Sequence, residues 1–164
     1  HVRSRRQRQM CIRDRLWDML VEDACFEAGW CRERMLFEAD EECTVYANLT
    51  SLAQALENLL RNAIRHSPPQ GRVRLNGVLE GDCWHLCLVD DGPGIEERYL
   101  ETIFEPFARL DSARPGDGGF GLGLSIARSA IALQDGRLWA QSPPGSGLQM
   151  HLLLPAAEVQ AQTV

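Results

Sequence analysis

Asn58, Asn62 and Arg65 fall at i, i+4 and i+7 of a stretch whose leucines recur at helical spacing, so all three project from one helix face. Amide oxygens one turn apart can complete the coordination of Mg²⁺, a hard cation that keeps several waters and takes its other oxygens from phosphates. An arginine one turn further on can reach a phosphate. Downstream, Asp90-Asp91-Gly92-Pro93-Gly94-Ile95 follows an apolar run. A carboxylate at a strand end can accept a hydrogen bond, and glycines beside it let backbone approach a flat ligand. Gly119-Phe120-Gly121-Leu122-Gly123-Leu124 then opens the next helical stretch. A glycine-rich loop feeding a helix N-terminus cradles anions, because unpaired N–H groups and the helix dipole both favour negative charge. Taken singly, each pattern has a bland counterpart: solvated asparagines, a turn, a loop. A dinucleotide fingerprint is disfavoured, since these glycines follow a long loop and no βαβ unit surrounds them.

The elements that must position these residues can be read from periodicity. A short helix is expected from Leu16 to Glu27, and strands over Arg34–Ala39 and Thr44–Ala47. The strongest helix begins at Asn48 or Thr50 and ends at His66, before Pro68-Pro69; Leu49, Leu52, Leu56, Leu59, Leu60 and Ala63 form its apolar stripe. Arg72–Leu79 and Cys83–Val89 read as strands of a hairpin turning at Glu80-Gly81-Asp82. A short helix over Glu96–Phe104, a loop from Glu105 to Gly119, a helix over Leu122–Leu133, and strands Arg137–Gln141 and Leu148–Leu154 complete the order. Helices mixed with hairpins indicate an α+β sandwich instead of a doubly wound parallel sheet.

Composition narrows the function. All 17 basic residues are arginines, which excludes any mechanism that needs a lysine amine, such as a Walker A lysine or a Schiff base. Against 23 acidic residues they leave a net charge of −6, so a nucleic-acid surface is not expected. No apolar run reaches transmembrane length. Cys11, Cys25, Cys31, Cys43, Cys83 and Cys87 include no C-x-x-C pair and read as reduced thiols, with Cys83 and Cys87 on one strand face. The first fifteen residues hold six arginines and one aspartate. They read as a separate basic segment: Met10–Arg15 is similar to a translated sequencing-library adapter and would then be non-native, the alternative being a remnant of a dimerisation helix. No function is built on them. The domain proper is expected over 16–157, with a disordered tail over 158–164.

Taken in order, the motifs say more. Asn58-Leu-Leu-Arg-Asn62-Ala-Ile-Arg-His66, Asp90-Asp-Gly92-Pro-Gly94-Ile95, Phe104-Glu-Pro-Phe107-Ala-Arg109-Leu-Asp111 and Gly119-Phe-Gly121-Leu-Gly123-Leu124 resemble the N, G1, F and G2 boxes of the catalytic ATP-binding domain of bacterial sensor histidine kinases. The resemblance covers about Leu16 to Pro155. It implies the Bergerat fold shared with gyrase, Hsp90-type chaperones and mismatch-repair ATPases: an α+β two-layer sandwich, a mixed sheet backed by helices, with a mobile ATP lid over Glu105–Gly118. It further implies that ATP and Mg²⁺ are the cofactors. Asn58 and Asn62 would hold the metal, with Arg65 at the phosphates and His66 near the adenine and ribose. Asp90 would receive the adenine amino group, while Gly92, Gly94 and Ile95 admit the ring. Phe104 and Phe107 would anchor the lid, and Arg109 and Arg114 would approach the phosphates or a partner domain. Gly119, Gly121, Leu122, Gly123 and Leu124 would close over the phosphates.

The resemblance also separates classes. The related hydrolases and the anti-sigma-factor serine kinases carry a glutamate base where this chain has Asn58, which cannot take a proton at neutral pH. A histidine kinase needs no such base, because a neutral imidazole is already nucleophilic. The expected activity is therefore transfer of the ATP γ-phosphoryl group to a histidine on a dimerisation domain, for relay to an aspartate of a response-regulator receiver domain. The alternative is an ATPase of the same superfamily or an anti-sigma-factor-like serine kinase. His1, His66, His85 and His151 all lack the phosphoacceptor context, so the chain reads as a catalytic fragment. It is expected to be monomeric alone, homodimeric in the full protein, and part of a cytoplasmic region of an inner-membrane-anchored sensor.

Overall fold

A computed structural model describes residues 8–108 and 121–157. Its frame is a mixed five-stranded sheet backed by helices, the α+β sandwich expected. The strands are β1 (Arg8–Cys11), β2 (Met35–Ala39), β3 (Thr44–Ala47), β4 (Val73–Glu80), β5 (Cys83–Asp90), β6 (Arg137–Gln141) and β7 (Gln149–Pro155). The helices are α1 (Asp18–Ala28), α2 (Leu49–His66) and α3 (Gly123–Ala132). The large sheet runs β2-β4-β5-β7-β6, parallel between β2 and β4 and antiparallel elsewhere. Gly81, at φ +64°, opens the two-residue turn that sets the β4–β5 register.

Alternation along the strands divides the sheet into two faces. Trp84, Leu86 and Leu88 of β5 and Met150, Leu152 and Leu154 of β7 join Leu52, Leu56, Leu59 and Leu60 of α2 in one buried cluster. Each such side chain contributes roughly 1.5–3 kcal/mol by leaving water. Helix α2 starts where Asn48 Oδ1 accepts the Ser51 N–H at 3.0 Å, so the cap is Asn48 and not Thr50.

Three expectations need correction. Residues 8–11 form a strand antiparallel to β3, and Met10 and Ile12 are buried in the core, so Leu16 does not mark the edge of the packed body. Helix α1 is entered through a π-helical turn over Arg13–Trp17 that sinks Leu16 and Trp17 inward. The helix expected over Glu96–Phe104 is two separate 3₁₀ turns, Glu97–Tyr99 and Thr102–Phe104; the backbone closes i→i+3 bonds from Leu100 to Glu97 and from Glu105 to Thr102 in place of a continuous α-helical ladder. The arginines at 109 and 114, Gly119 and most of the expected lid lie outside the described residues. Among the described residues, no helix is long and apolar enough to cross a membrane.

Gln134 fastens α2 to α3. Buried at 2% exposure, it accepts the Asn48 N–H through Oε1 at 2.9 Å and donates through Nε2 to the Ala130 carbonyl at 3.0 Å. Gln134→Leu is expected to cost about 1–3 kcal/mol, because it strands the Asn48 N–H at the helix start. A urea titration should show a lower midpoint with unchanged slope; an unmoved midpoint would mean that the bond contributes nothing to stability.

Candidate active site

Helix α2 is amphipathic, and burying its leucines on the sheet turns Asn58 and Asn62 away from the core, half-buried, with Arg65 and His66 exposed beyond them. Two glycines bring other elements onto this ridge. A Cβ on Gly123 would lie 3.8 Å from Asn58 Oδ1, so the first turn of α3 faces Asn58 with no side chain between. A Cβ on Gly92 would lie 2.6 Å from the His66 carbonyl, so the Asp90 loop abuts the end of α2. These two approaches are eight residues apart on α2, about 12 Å along its axis. The start of α3 carries no side-chain cap, since Leu122 occupies that position.

Asp90 ends β5 and is 3% exposed. Its Oδ1 accepts the N–H of Gly92 at 2.8 Å and of Leu148 at 3.2 Å. Burial raises the Asp90 carboxyl above the ordinary aspartate value; the two backbone N–H groups and His66 oppose that, and Asp91 adds to it. Asp91 accepts from the Arg72 N–H at 2.8 Å and pairs with Arg74 at 3.2 Å.

The loop between β6 and β7 completes this corner, and the sequence reading missed it. A Cβ on Gly147 would collide with the carbonyl and the Oδ1 of Asp90. Ser142 Oγ accepts the Ile95 N–H at 2.9 Å, and Gly94, at φ +71°, has no room for a Cβ beside that hydroxyl. The run Pro143-Pro144-Gly145-Ser146-Gly147 carried a signal only in Gly147, a glycine with no evident turn to make. A cleft of about 420 Å³ opens against Asp90 between Arg74, Pro93 and Gly145–Gly147. It meets Asp90 from the strand-loop side, and α2 forms none of its wall.

Phe107 and Gly121 bracket the segment 109–120. Phe107 N–H donates to the Gly121 carbonyl at 2.9 Å, and both residues have positive φ, +63° and +73°. A Cβ on Gly121 would lie 2.9 Å from Phe107 Cα, so only glycine permits the closure. Phe104 is buried, with the Arg128 guanidinium 4.6 Å above its ring. Among the described candidates, then, Asn58, Asn62, Arg65, His66, Asp90, Gly92, Gly94, Ile95, Gly121, Leu122, Gly123 and Leu124 gather along the α2 ridge and the loops that meet it. Phe107 stands at the margin, its side chain exposed. Arg109, Arg114 and Gly119 are outside the described residues.

The sequence profile of the histidine kinase-, DNA gyrase B- and HSP90-like ATPases matches residues 47–158. The chain is 56% identical over 142 residues to the sensor protein PfeS of Pseudomonas aeruginosa, covering 87% of this chain and 31% of that protein. It is 34% identical over 144 residues to the sensor histidine kinase CpxA of Escherichia coli, with the same coverage of 87% and 31%. The chain thus spans about a third of the length of these relatives. Among solved structures it is similar to the mycobacterial sensor histidine kinase MprB, with a TM-score of 0.78 at 27% identity over 93% of this chain and 100% of that one. The catalytic domain of histidine kinase ThkA aligns with a TM-score of 0.72 at 26% identity, over 91% and 95% of the two chains.

The raised Asp90 carboxyl has a consequence for stability. A carboxyl whose folded value lies above its unfolded one favours the fold while protonated, and that contribution is lost as pH rises through the folded value. Asn at this position keeps an Oδ1 for both N–H groups without burying a charge. Asp90→Asn is expected to melt at or above the temperature of the native chain at neutral pH, the difference vanishing on acidification through the carboxylate range. Thermal melts across pH test this; a pH-independent loss of stability would show that the charged hydrogen bonds outweigh burial.

Proposed function

The chain belongs to the histidine kinase-, DNA gyrase B- and HSP90-like ATPase family, and from that premise we propose that it is the ATP-binding catalytic domain of a sensor histidine kinase, donating the γ-phosphoryl group of ATP to a histidine on a separate dimerisation domain. The observation that carries this reading is Asp90. Both of its hydrogen bonds from described residues land on Oδ1, which leaves Oδ2 to accept from the amino group of adenine. Guanine would present its O6 acceptor to the same carboxylate. Leaving that pair unsatisfied costs roughly 1–3 kcal/mol, a preference for ATP of about 5- to 150-fold. Gly92, Gly94 and Ile95 line the approach of the ring, and His66 flanks it.

Asn58 and Asn62 would hold Mg²⁺. Their donor set fits: hard, neutral amide oxygens, with the backbone of Gly123 close to Asn58. When bound, the ion supplies charge neutralisation at the phosphates. The uncapped first turn of α3, from Leu122 through Leu124, directs its N–H groups at the same region, and Gly121 lets the chain enter it. Arg65 is assigned to the phosphates, together with Arg109, Arg114 and Gly119 of the segment outside the described residues.

Transfer to imidazole is favoured over hydrolysis because the ridge carries no carboxylate where the related hydrolases have one. Asn58 cannot accept a proton, and Glu57 is engaged on another side of α2 with Arg61 at 2.9 Å, which also pairs with Glu27 at 3.0 Å. A histidine nucleophile brings its own lone pair and needs only to be held about 3–3.5 Å from the phosphorus. The acceptor domain, a receiver-domain partner and a membrane anchor belong to this reading as features of the whole protein.

Calorimetry with ATP, in the presence and absence of Mg²⁺, separates the two roles. Asp90→Asn should lose ATP under both conditions by at least the preference given above. Asn62→Ala should lose only the Mg²⁺-dependent part of the affinity; equal losses in both variants would refute the division of labour. Radiolabelled ATP tests the class. The chain alone should release phosphate slowly and should not label itself. Added dimerisation domain should acquire acid-labile, base-stable phosphate. Rapid phosphate release by the chain alone would identify a hydrolase, and stable label on Ser or Thr a serine kinase.

A further inference from the structure

The sheet face away from the helices carries an array that the nucleotide site does not use. Asn76 on β4, Cys87 on β5, His151 on β7 and Trp139 on β6 stand directly opposite one another, one row across four strands. His151 is buried on this face, stacked under Trp139 with centroids 5.3 Å apart and planes 10° apart. Its Nδ1 lies 2.9 Å from His85 Nε2, and His85 Nδ1 lies 2.9 Å from Glu80 Oε1. With both rings neutral, the carboxylate sets the tautomers along the chain. His85 Nδ1–H donates to Glu80, and His151 Nδ1–H donates to His85 Nε2.

That assignment leaves a lone pair on His151 Nε2, and its neighbours are Cys87 Sγ at 3.8 Å and Gln149 Oε1 at 3.2 Å. A nitrogen lone pair and a carboxamide oxygen do not bond to each other. Asn76 Oδ1, one position along the row beyond Cys87, is buried with no hydrogen-bond partner among the described residues. The Cys87 thiol shares its proton with His151 Nε2 only across 3.8 Å, and a cation that displaces that proton would satisfy sulfur, nitrogen and oxygen together.

We propose that this face binds a borderline transition-metal ion, with Zn²⁺ as its probe, through Cys87 Sγ, His151 Nε2 and the Gln149 carboxamide oxygen, with Asn76 Oδ1 beside it. Tetrahedral Zn²⁺ holds sulfur and imidazole nitrogen about 3.6 Å apart, and nitrogen and oxygen about 3.4 Å apart, given its usual bond lengths. The observed 3.8 and 3.2 Å are each within about 0.2 Å of those separations. On binding, the Cys87 S–H bond breaks, a sulfur–metal bond forms, and the proton leaves to solvent. Burial pushes the Cys87 thiol up to about 11, so without metal it stays protonated and unreactive. His85 and Glu80 are positioning residues: they touch the ion only through the imidazole they orient.

The test is Zn²⁺ titration of the full chain, without an affinity tag, in competition with a chromophoric chelator, together with Co²⁺ absorption. One ion per chain and a thiolate-to-cobalt charge-transfer band are expected. Cys87→Ser should abolish the band and weaken Zn²⁺ binding at least tenfold, and His151→Ala should weaken it likewise. Glu80 is exposed, so Glu80→Gln leaves the fold intact; it should retain the band while weakening binding about 10- to 100-fold. Melts in chelator should show each variant folded. The competing locus is Cys11 with Asp14 and Glu42, whose ligand atoms lie within 4.8 Å of one another. Loss of the band in Cys11→Ser with retention in Cys87→Ser would overturn the assignment. So would the absence of stoichiometric binding, or a Glu80→Gln affinity equal to that of the native chain.

Discussion

A carboxylate taken out of water has to be met by hydrogen-bond donors, or the fold loses several kcal/mol around it. Asp90 is such a group, and its donors come from two directions: Gly92, two residues on in its own loop, and Leu148, fifty-eight residues away just before β7. The second donor reaches it only because β5 and β7 are neighbours in the sheet and Gly147 has no Cβ to hold them apart. The loop after Asp90 is tied once more, from Ile95 to Ser142. The residue proposed to read adenine is therefore held by the sheet, and any ligand meets a preformed acceptor.

Against that fixed point, α2 works as a ruler. Its leucines lock it to the sheet, and the opposite ridge then has no freedom to rotate. The Asp90 loop touches it at His66 and the start of α3 faces it at Asn58, so the elements proposed to meet base and phosphate are spaced by the helix itself. Gln134 sets the remaining variable, the placement of α3 against the start of α2, through two hydrogen bonds in a buried setting. On the proposed reading, one rigid element carries or abuts the residues for metal, phosphate and base.

The two faces of the sheet carry different side chains. Met150, Leu152 and Leu154 of β7 pack under the helices, while Gln149 and His151 point the other way. β7 thus carries Gln149 and His151 immediately after the Leu148 N–H that fastens Asp90. The aromatic cover of Trp139 is what makes His151 a buried imidazole on a face where solvent would otherwise reach it.

Much of this was legible in the chain. Helical spacing put Asn58, Asn62 and Arg65 on one ridge opposite the leucines, and alternation with a glycine turn marked the β4–β5 hairpin. The order of the four motifs carried the fold family. These signals are local: periodicity and turn chemistry act between residues a few positions apart. What the sequence did not reveal depends on register between distant segments. The pairing of β1 with β3, the closure of Gly147 on Asp90, and the meeting of His85 with His151, sixty-six residues on, each follow from which strands become neighbours. That choice is made by packing the whole apolar face at once, so no window of sequence contains it.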